Sequence, residues 1–242
     1  MGKTVNKIQR AMGRGIKKYT MIEEDDRILV TVSGGKDSLT LLNLLLEWSR
    51  YIEPSITLIA AHIDLGFEGS GNLSQELARW FAELGVEHNI ISTSIARQSL
   101  APNASKNPCF ICSHHRRHAI YSLAHELDCS KIASGHHKDD IVETLLLNIL
   151  FSRKIETLSP KQEVFQGKMH LIRPLALVSE ELICDYAETT GLPRFPKPCP
   201  VDGTTRRDKV KQIIDTLQTE EANNNIRKNI FKALSRVNIR SY

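Results

Sequence analysis

Short apolar runs and longer Leu-rich segments alternate along the first part of this chain. Arg27 to Val32 and Ile56 to Ile63 are continuously apolar rather than alternating. That pattern predicts strands buried on both faces, as in a parallel sheet. A third strand is predicted at 86–92. Between them lie a helix at 37–50, apolar nearly all round, and a helix at 73–84 that Gly85 stops. Strand–helix alternation of this kind predicts an α/β fold, a doubly wound parallel sheet of Rossmann type.

The regular pattern then breaks. Residues 101–108 read as a loop that delivers Cys109-Phe110-Ile111-Cys112 to a helix at about 113–127. A fourth strand at 131–134 leads into Gly135-His136-His137-Lys138-Asp139-Asp140 and a helix to about Phe151. A polar loop spans 152–168, and a fifth short strand runs from Met169 to Arg173. A helix from Ser179 to Thr190 ends at Gly191 with Pro193 beyond it. Phe195 to Pro200 is a rigid extended stretch that presents Cys199, and helical sequence resumes at Arg206. The expected organisation is a basic N-terminal helix (1–24), a catalytic domain (25–200) and a helical C-terminal extension (201–242).

Charge changes this picture more than composition does. At 242 residues, 41% hydrophobic and 25% charged, the chain has the make-up of a soluble α/β protein. No apolar run reaches the ~18 residues of a membrane span, and no apolar signal core follows the N-terminus. A cytoplasmic protein without a membrane partner is expected. The net charge of +4 is unevenly spread: Met1 to Ile22 holds Lys3, Lys7, Arg10, Arg14, Lys17 and Lys18 and no acidic residue. A second basic concentration runs over 206–240. Such patches suit a polyanion such as nucleic acid, with a solvated tail as the bland alternative.

The candidate chemistry starts at Ser33-Gly34-Gly35-Lys36-Asp37-Ser38. A glycine-containing turn from a strand end into a helix start aims backbone N–H groups and the helix dipole at an anion, usually phosphate. Ser33 and Ser38 add hydroxyls, and Lys36 adds a point charge. It is not a Walker A loop, because Asp37 follows Lys36 and Val30 stands where Gly is required. It resembles the pyrophosphatase loop (PP-loop), Ser-Gly-Gly-x-Asp-Ser, of enzymes that cleave ATP between the α- and β-phosphates. Ligands of open parallel sheets bind beyond the carboxyl ends of the strands. Asp64 and Gly135-His136 follow such ends, so they should converge with the turn. Asp64 is a candidate contact for nucleotide or Mg²⁺, or a cap. Gly135 is expected to admit a phosphate, and His136 to meet it or to pack. Asp139 or Asp140 would reach Mg²⁺ or serve the helix dipole. Arg173 is a candidate phosphate clamp.

Five cysteines, an odd count, argue against a disulfide scaffold. Cys129 and Cys184 sit alone in apolar helical contexts and read as core. Cys109, Cys112 and Cys199 are three soft ligands. With His114, His115 or His118 they would make a closed zinc site. Alone they would hold a 4Fe–4S cluster with one iron open to hydrosulfide, or carry a persulfide.

Together these motifs, with Arg116-Arg117 behind the Cys-x-x-Cys and Arg173-Pro174-Leu175, resemble the tRNA 2-thiocytidine synthetase family over about residues 25–215. The resemblance implies the adenine nucleotide α-hydrolase-like fold. It implies adenylation of a cytidine 2-oxo group, cytidine 32 of tRNA, and its replacement by sulfur with a 4Fe–4S cluster on three cysteines. It also implies ATP and Mg²⁺, an upstream sulfur donor such as a cysteine desulfurase, and a homodimer. Cys109, Cys112, Cys199, Lys36 and Asp37 would be catalytic. Ser33 to Ser38, Asp64, Gly135, His136, Asp139 and Asp140 would bind nucleotide. The basic termini with Arg116, Arg117, Arg206 and Arg207 would hold the RNA backbone. One departure stands out: Pro198-Cys199-Pro200-Val201-Asp202-Gly203 lacks the family's second cysteine. Two other readings are a lysidine-synthetase-like ligase, which needs none of the three thiols, and a nucleotide-binding module without catalysis.

Overall fold

The computed structural model describes residues 2–50, 55–101, 107–196, 198–200, 203, 205–221 and 223–236. Strands β1 (Arg27–Thr31), β2 (Thr57–Asp64), β3 (Glu87–Ser92), β4 (Lys131–Ala133), β5 (Lys161–Val164) and β6 (Met169–Ile172) form one sheet. Their order is β3-β2-β1-β4-β6-β5, with every neighbouring pair parallel except β5 on β6. The doubly wound parallel sheet follows the expectation, but it has six strands rather than five. The extra one is β5, inside the stretch read as a polar loop. Its sequence, Lys161-Gln162-Glu163-Val164, offers no apolar run, and as an edge strand it needs none.

Seven consecutive buried residues in β2 put it in the middle of the sheet with both faces covered. Helix α2 (Lys36–Ser49) buries Leu39, Leu41, Leu42, Leu44 and Leu45 completely. The sheet takes one side of α2, and α7 (Glu180–Thr190) takes another. The amide of Asn43 on α2 donates 2.8 Å to the hydroxyl of the fully buried Tyr186 on α7. Helix α1 (Gly2–Lys18) joins the same core through Ile8, Met12 and Ile16, each burial contributing about 1.5–3 kcal/mol. Gly15 weakens that helix in isolation. A Cβ there would stand 3.3 Å from the Pro174 carbonyl, so glycine lets α1 close on the 3-10 turn Pro174–Leu177.

The other sheet face carries Leu29, Ile59 and Ile132 against Leu123 and Ala124 of α5 (Pro108–Glu126). Buried Lys131 at the start of β4 donates 2.6 Å to each of Glu23 and Asp26. Helices α8 (Arg206–Glu220) and α9 (Ile226–Ala233) pack on α6 (Lys138–Ser152) around Val142, Val210 and Ile214. Two helices complete the fold: α3 (Ser70–Glu83) and the single turn α4 (Ile95–Ser99), which the sequence reading missed. Among the described residues no helix is long and apolar enough to cross a membrane.

From β1 the chain winds through α2 to β2 on one side, while β4 lies on the other side of β1. The direction of winding therefore reverses between β1 and β4, and a crevice opens at their carboxyl ends. The two loops that leave those ends are 32–35 and 134–137.

Candidate active site at the β1–β4 crevice

Backbone geometry shapes the first loop. Gly34 has φ +84°, a conformation that side chains disfavour. The Ser33 N–H donates 3.1 Å to Ser38 Oγ, and that hydroxyl donates 2.8 Å to the Gly35 carbonyl. The two serines thus fold the turn on itself. Gly35 is the N-cap of α2, and no side chain caps this helix. By contrast, α5, α6, α7, α8 and α9 are capped by Asn107, His137, Ser179, Thr205 and Asn225. Helix α3, behind Gly69 at the end of the neighbouring β2 loop, is uncapped as well. An uncapped helix start at the end of a parallel strand is free to accept an anion.

Lys36 stands over this turn, 3.0 Å from Glu180 Oε1 and 3.1 Å from Asp37 Oδ1. Burial alone would lower its pKa, but the Asp37 and Glu180 carboxylates raise it and hold the ammonium charged. Burial disfavours ionised Glu180 in turn, yet hydrogen bonds from Lys211 and Lys36 bring that carboxyl down to about 2. Asp37 Oδ1 is buried, 3.7 Å from His137 Nε2, and neither this contact nor the one to Lys36 is aligned as a hydrogen bond. An anionic oxygen in that condition is a fitting ligand for a hard cation such as Mg²⁺.

The second loop is tied to the first by contact. The space that the missing Cβ of Gly135 leaves is filled by α2 backbone: a Cβ there would lie 3.0 Å from both Asp37 C and Ser38 N. Gly135 therefore brings β4 against the phosphate turn, rather than leaving room for a phosphate itself. His136 Nδ1 meets Ser134 Oγ at 2.8 Å. Burial lowers its pKa to about 4; Asp140 opposes that, while Arg173, Arg207 and Arg116 reinforce it. His136 is neutral at physiological pH.

Several acidic candidates are already engaged by the protein. Asp64 accepts 2.9 Å from the Gly66 N–H and 3.1 Å from Ser74 Oγ, so it fixes the loop into α3. Asp139 accepts 2.8 Å from the Glu180 N–H, joining the starts of α6 and α7. Asp140 accepts 2.9 Å from the His137 N–H and 2.9 Å from Arg207. Asp139 and Asp140 thus act through the protein rather than lying bare for Mg²⁺. Arg207 is held by Asp140 and Thr144, and Arg206 stacks over Phe151 at 5.0 Å. Arg173 is buried and donates to the Ser159 carbonyl and, at 3.5 Å, to Gln162, which removes it as a free clamp. Sequence reading missed Glu180 and Lys211, because only the tertiary fold brings them to Lys36.

The thiols come next. Helix α5 starts at Pro108, five residues before the expected 113, so Cys109 and Cys112 form its first turn. The Asn107 side chain accepts 2.9 Å from the Cys109 N–H, and Pro108 occupies the first helical position. That Asn-Pro pair was the signal available in the sequence. Burial pushes the Cys112 thiol up; Arg116 opposes this, while Cys199 and Cys109 add to it. Cys199 therefore lies within electrostatic reach of Cys112, although it lies far along the chain. Arg116, one turn after Cys112, acts on both Cys112 and His136. Cys112 and His136 both lie within the electrostatic reach of that guanidinium. Cys129 is core, as expected. Cys184 is not: it is half-buried, within the electrostatic reach of Lys36 and Glu180.

Comparison with known proteins decides the family. A PP-loop domain model matches residues 5–216. The tRNA-cytidine(32) 2-sulfurtransferase of Methylobacillus flagellatus is 38% identical over 236 residues, covering 96% of this chain and 76% of that protein. The protein of the same name from Pelobacter propionicus is 38% identical over 240 residues, covering 97% of this chain and 87% of its own. The chain belongs to the tRNA-cytidine(32) 2-sulfurtransferase family of PP-loop enzymes. The fold also matches the U34-tRNA thiolase NcsA from Methanococcus maripaludis, solved with its 4Fe–4S cluster. The TM-score is 0.80 at 24% identity, covering 96% of this chain and 78% of the other. An NH3-dependent NAD synthetase from Campylobacter jejuni matches with TM-score 0.53 at 15% identity, covering 95% and 92%.

Within this sulfurtransferase fold the donor set of the thiol nest is informative. Among the described residues no three His, Cys, Asp or Glu side chains stand at the spacing of a single-ion site. Zinc would draw its thiolates to within ~2.3 Å of one centre. A 4Fe–4S cluster carries each thiolate on a different iron and accepts three neighbouring but wider-set sulfurs. Cys109, Cys112 and Cys199 are free thiols, the donor type that such a cluster takes.

The Gly135 contact carries a prediction. Gly135→Ala should cost about 1–3 kcal/mol, because backbone rather than a flexible side-chain end must move. The displaced atoms belong to the phosphate turn, so ATP-dependent pyrophosphate release should fall along with the melting temperature. Unchanged melting and turnover would show that β4 does not brace the turn.

Proposed function

We propose that this chain is an ATP-dependent tRNA thiolase that converts a cytidine, at position 32, to 2-thiocytidine. The supporting observation is an uncapped helix start braced by Gly135, in a chain 38% identical to tRNA-cytidine(32) 2-sulfurtransferases.

The residues divide the work. The leading amides of α2 and the Lys36 ammonium hold the ATP phosphates, with Mg²⁺ at Asp37 Oδ1. The cytidine 2-oxo oxygen attacks the α-phosphorus; the bond to the β-phosphate oxygen breaks, and pyrophosphate leaves. The cytidine oxygen now belongs to an AMP ester, a good leaving group. Sulfur attacks the activated carbon, the C–O bond breaks, and AMP departs with the oxygen. A 4Fe–4S cluster on Cys109, Cys112 and Cys199 would supply the sulfur when bound. Neutral His136 adds no charge to compete with Lys36 for the phosphates, and it keeps a ring nitrogen for hydrogen bonding. Sulfur reaches the site from an upstream donor of the cysteine desulfurase class, and the working form is a cytoplasmic homodimer.

Nucleoside mass spectrometry of tRNA from a deletion strain tests this reading. 2-Thiocytidine should vanish and should return with the intact gene. A strain that keeps its 2-thiocytidine but loses another modified nucleoside would reassign the substrate.

A further inference from the structure

The basic residues of this molecule fall into two populations. Lys36, Lys131, Lys211, Arg207 and Arg227 all sit on carboxylates. Lys3, Lys7, Arg10 and Arg14 are exposed, and none has an acidic partner among the described residues. Their spacing of four, three and four residues puts them on one stripe of α1, spread over about 16 Å of helix. Like charges so placed disfavour the helix, and among the described residues no carboxylate relieves them.

The stripe is one wall of a groove. Lys3, Lys7, Arg10 and Arg14 line it together with Lys138 of α6 and Ser179, the N-cap of α7; its cavity volume is about 470 Å³. Leu177 and Leu182 complete the lining. The groove is a chain neighbour of the crevice already described: Lys138 follows His137 of the second loop, and Ser179 precedes the Glu180 that Lys36 holds. The Lys138 ammonium also lies 5.8 Å from the Phe231 ring.

We infer that this groove is the track for the tRNA sugar–phosphate backbone, leading one strand of the RNA to the β1–β4 crevice. The inference rests on the thiolation reading for the identity of the RNA. A concave row of unpaired cations is what a phosphate chain requires, and it carries no base-reading groups. An anionic membrane fits less well. Surface helices that bind lipid insert an apolar face, and the apolar face of α1 (Ile8, Met12 and Ile16) is already in the core.

The test compares two variants of one helix. Lys7→Gln/Arg10→Gln/Arg14→Gln removes groove charges; Lys17→Gln/Lys18→Gln removes exposed charges outside the groove. Filter binding of unmodified tRNA is measured across a salt series, with circular dichroism melts to verify folding. The triple variant should bind about 10- to 100-fold more weakly at moderate salt, and its salt slope should flatten by about 2 to 3. The double variant should move either quantity far less. Equal loss per charge removed in both variants would overturn the groove, and so would unchanged binding in the triple variant. So would a triple variant that keeps its tRNA affinity but loses binding to phosphatidylserine vesicles. The two readings fail separately. A wild type that thiolates tRNA beside a triple variant with undiminished affinity removes the groove alone. A triple variant that loses tRNA affinity beside a wild type that makes no 2-thiocytidine removes the thiolation reading alone.

Discussion

Cys112→Ala should abolish 2-thiocytidine formation while leaving tRNA-dependent pyrophosphate release nearly intact. The Cys112 thiol lies within the electrostatic reach of both Cys109 and Cys199. Losing one of three soft ligands removes a site, so the loss should exceed the ~10–100-fold that an outer partner of a metal site typically costs. Cys109→Ala and Cys199→Ala should behave alike, and anaerobically purified variants should lose the brown colour of the parent. In the proposed reaction adenylation uses the uncapped start of α2 and Lys36, which the thiols do not form. Cys129→Ala is the matched control. It lies in the core with Leu123 and Ala124 and should cost stability without costing thiolation. Radiolabelled ATP turnover and nucleoside mass spectrometry on one set of proteins separate the two half-reactions. If the cysteine variants thiolate normally, sulfur reaches the adenylate without these thiols and the cluster reading falls. If pyrophosphate release falls with thiolation, the thiols support the nucleotide site rather than a separate sulfur step.

The parts of this molecule that were legible in its sequence are those set by local pattern. Strands β1 and β2 are buried on both faces, so unbroken apolar runs announced them. The phosphate turn was legible because its glycines and serines act within six consecutive residues. The parts that were hidden depend on partners far along the chain. β5 is a strand only because β6 pairs with it. Asp64, Asp139 and Asp140 look like bare carboxylates in sequence, but Ser74, Glu180 and Arg207 occupy them in space. Arg207 looks like an RNA contact and is a counter-ion of the site. The electrostatic coupling of Cys199 to Cys112 spans about half of the domain, and no periodicity encodes it.

Lys36→Ala should separate catalysis from stability in the opposite part of the site. The side chain is partly exposed (37%) and bridges Asp37 and Glu180. An exposed pair of this kind contributes ~0–1 kcal/mol. Glu180 is not orphaned by the change, since Lys211 reaches both its oxygens at 2.8 and 3.0 Å. The melting temperature should therefore shift little. Pyrophosphate release should fall about 10²–10³-fold, the usual effect of removing one preorganised donor that stabilises developing charge. Thiolation should fall in proportion, because it consumes the adenylate. Lys36→Arg should recover only part of the activity: a planar guanidinium cannot present the same point charge in a pocket already occupied by Asp37, Glu180 and Lys211. Glu180→Gln probes the same network from the other end. It removes the anion that holds Lys36 at rest, so the ammonium becomes freer to meet a phosphate and ATP affinity should not fall. A Lys36→Ala protein that melts early and still releases pyrophosphate would make Lys36 a clamp between α2 and α7. The phosphate turn would then have lost its cation, and the adenylation half of the proposal with it.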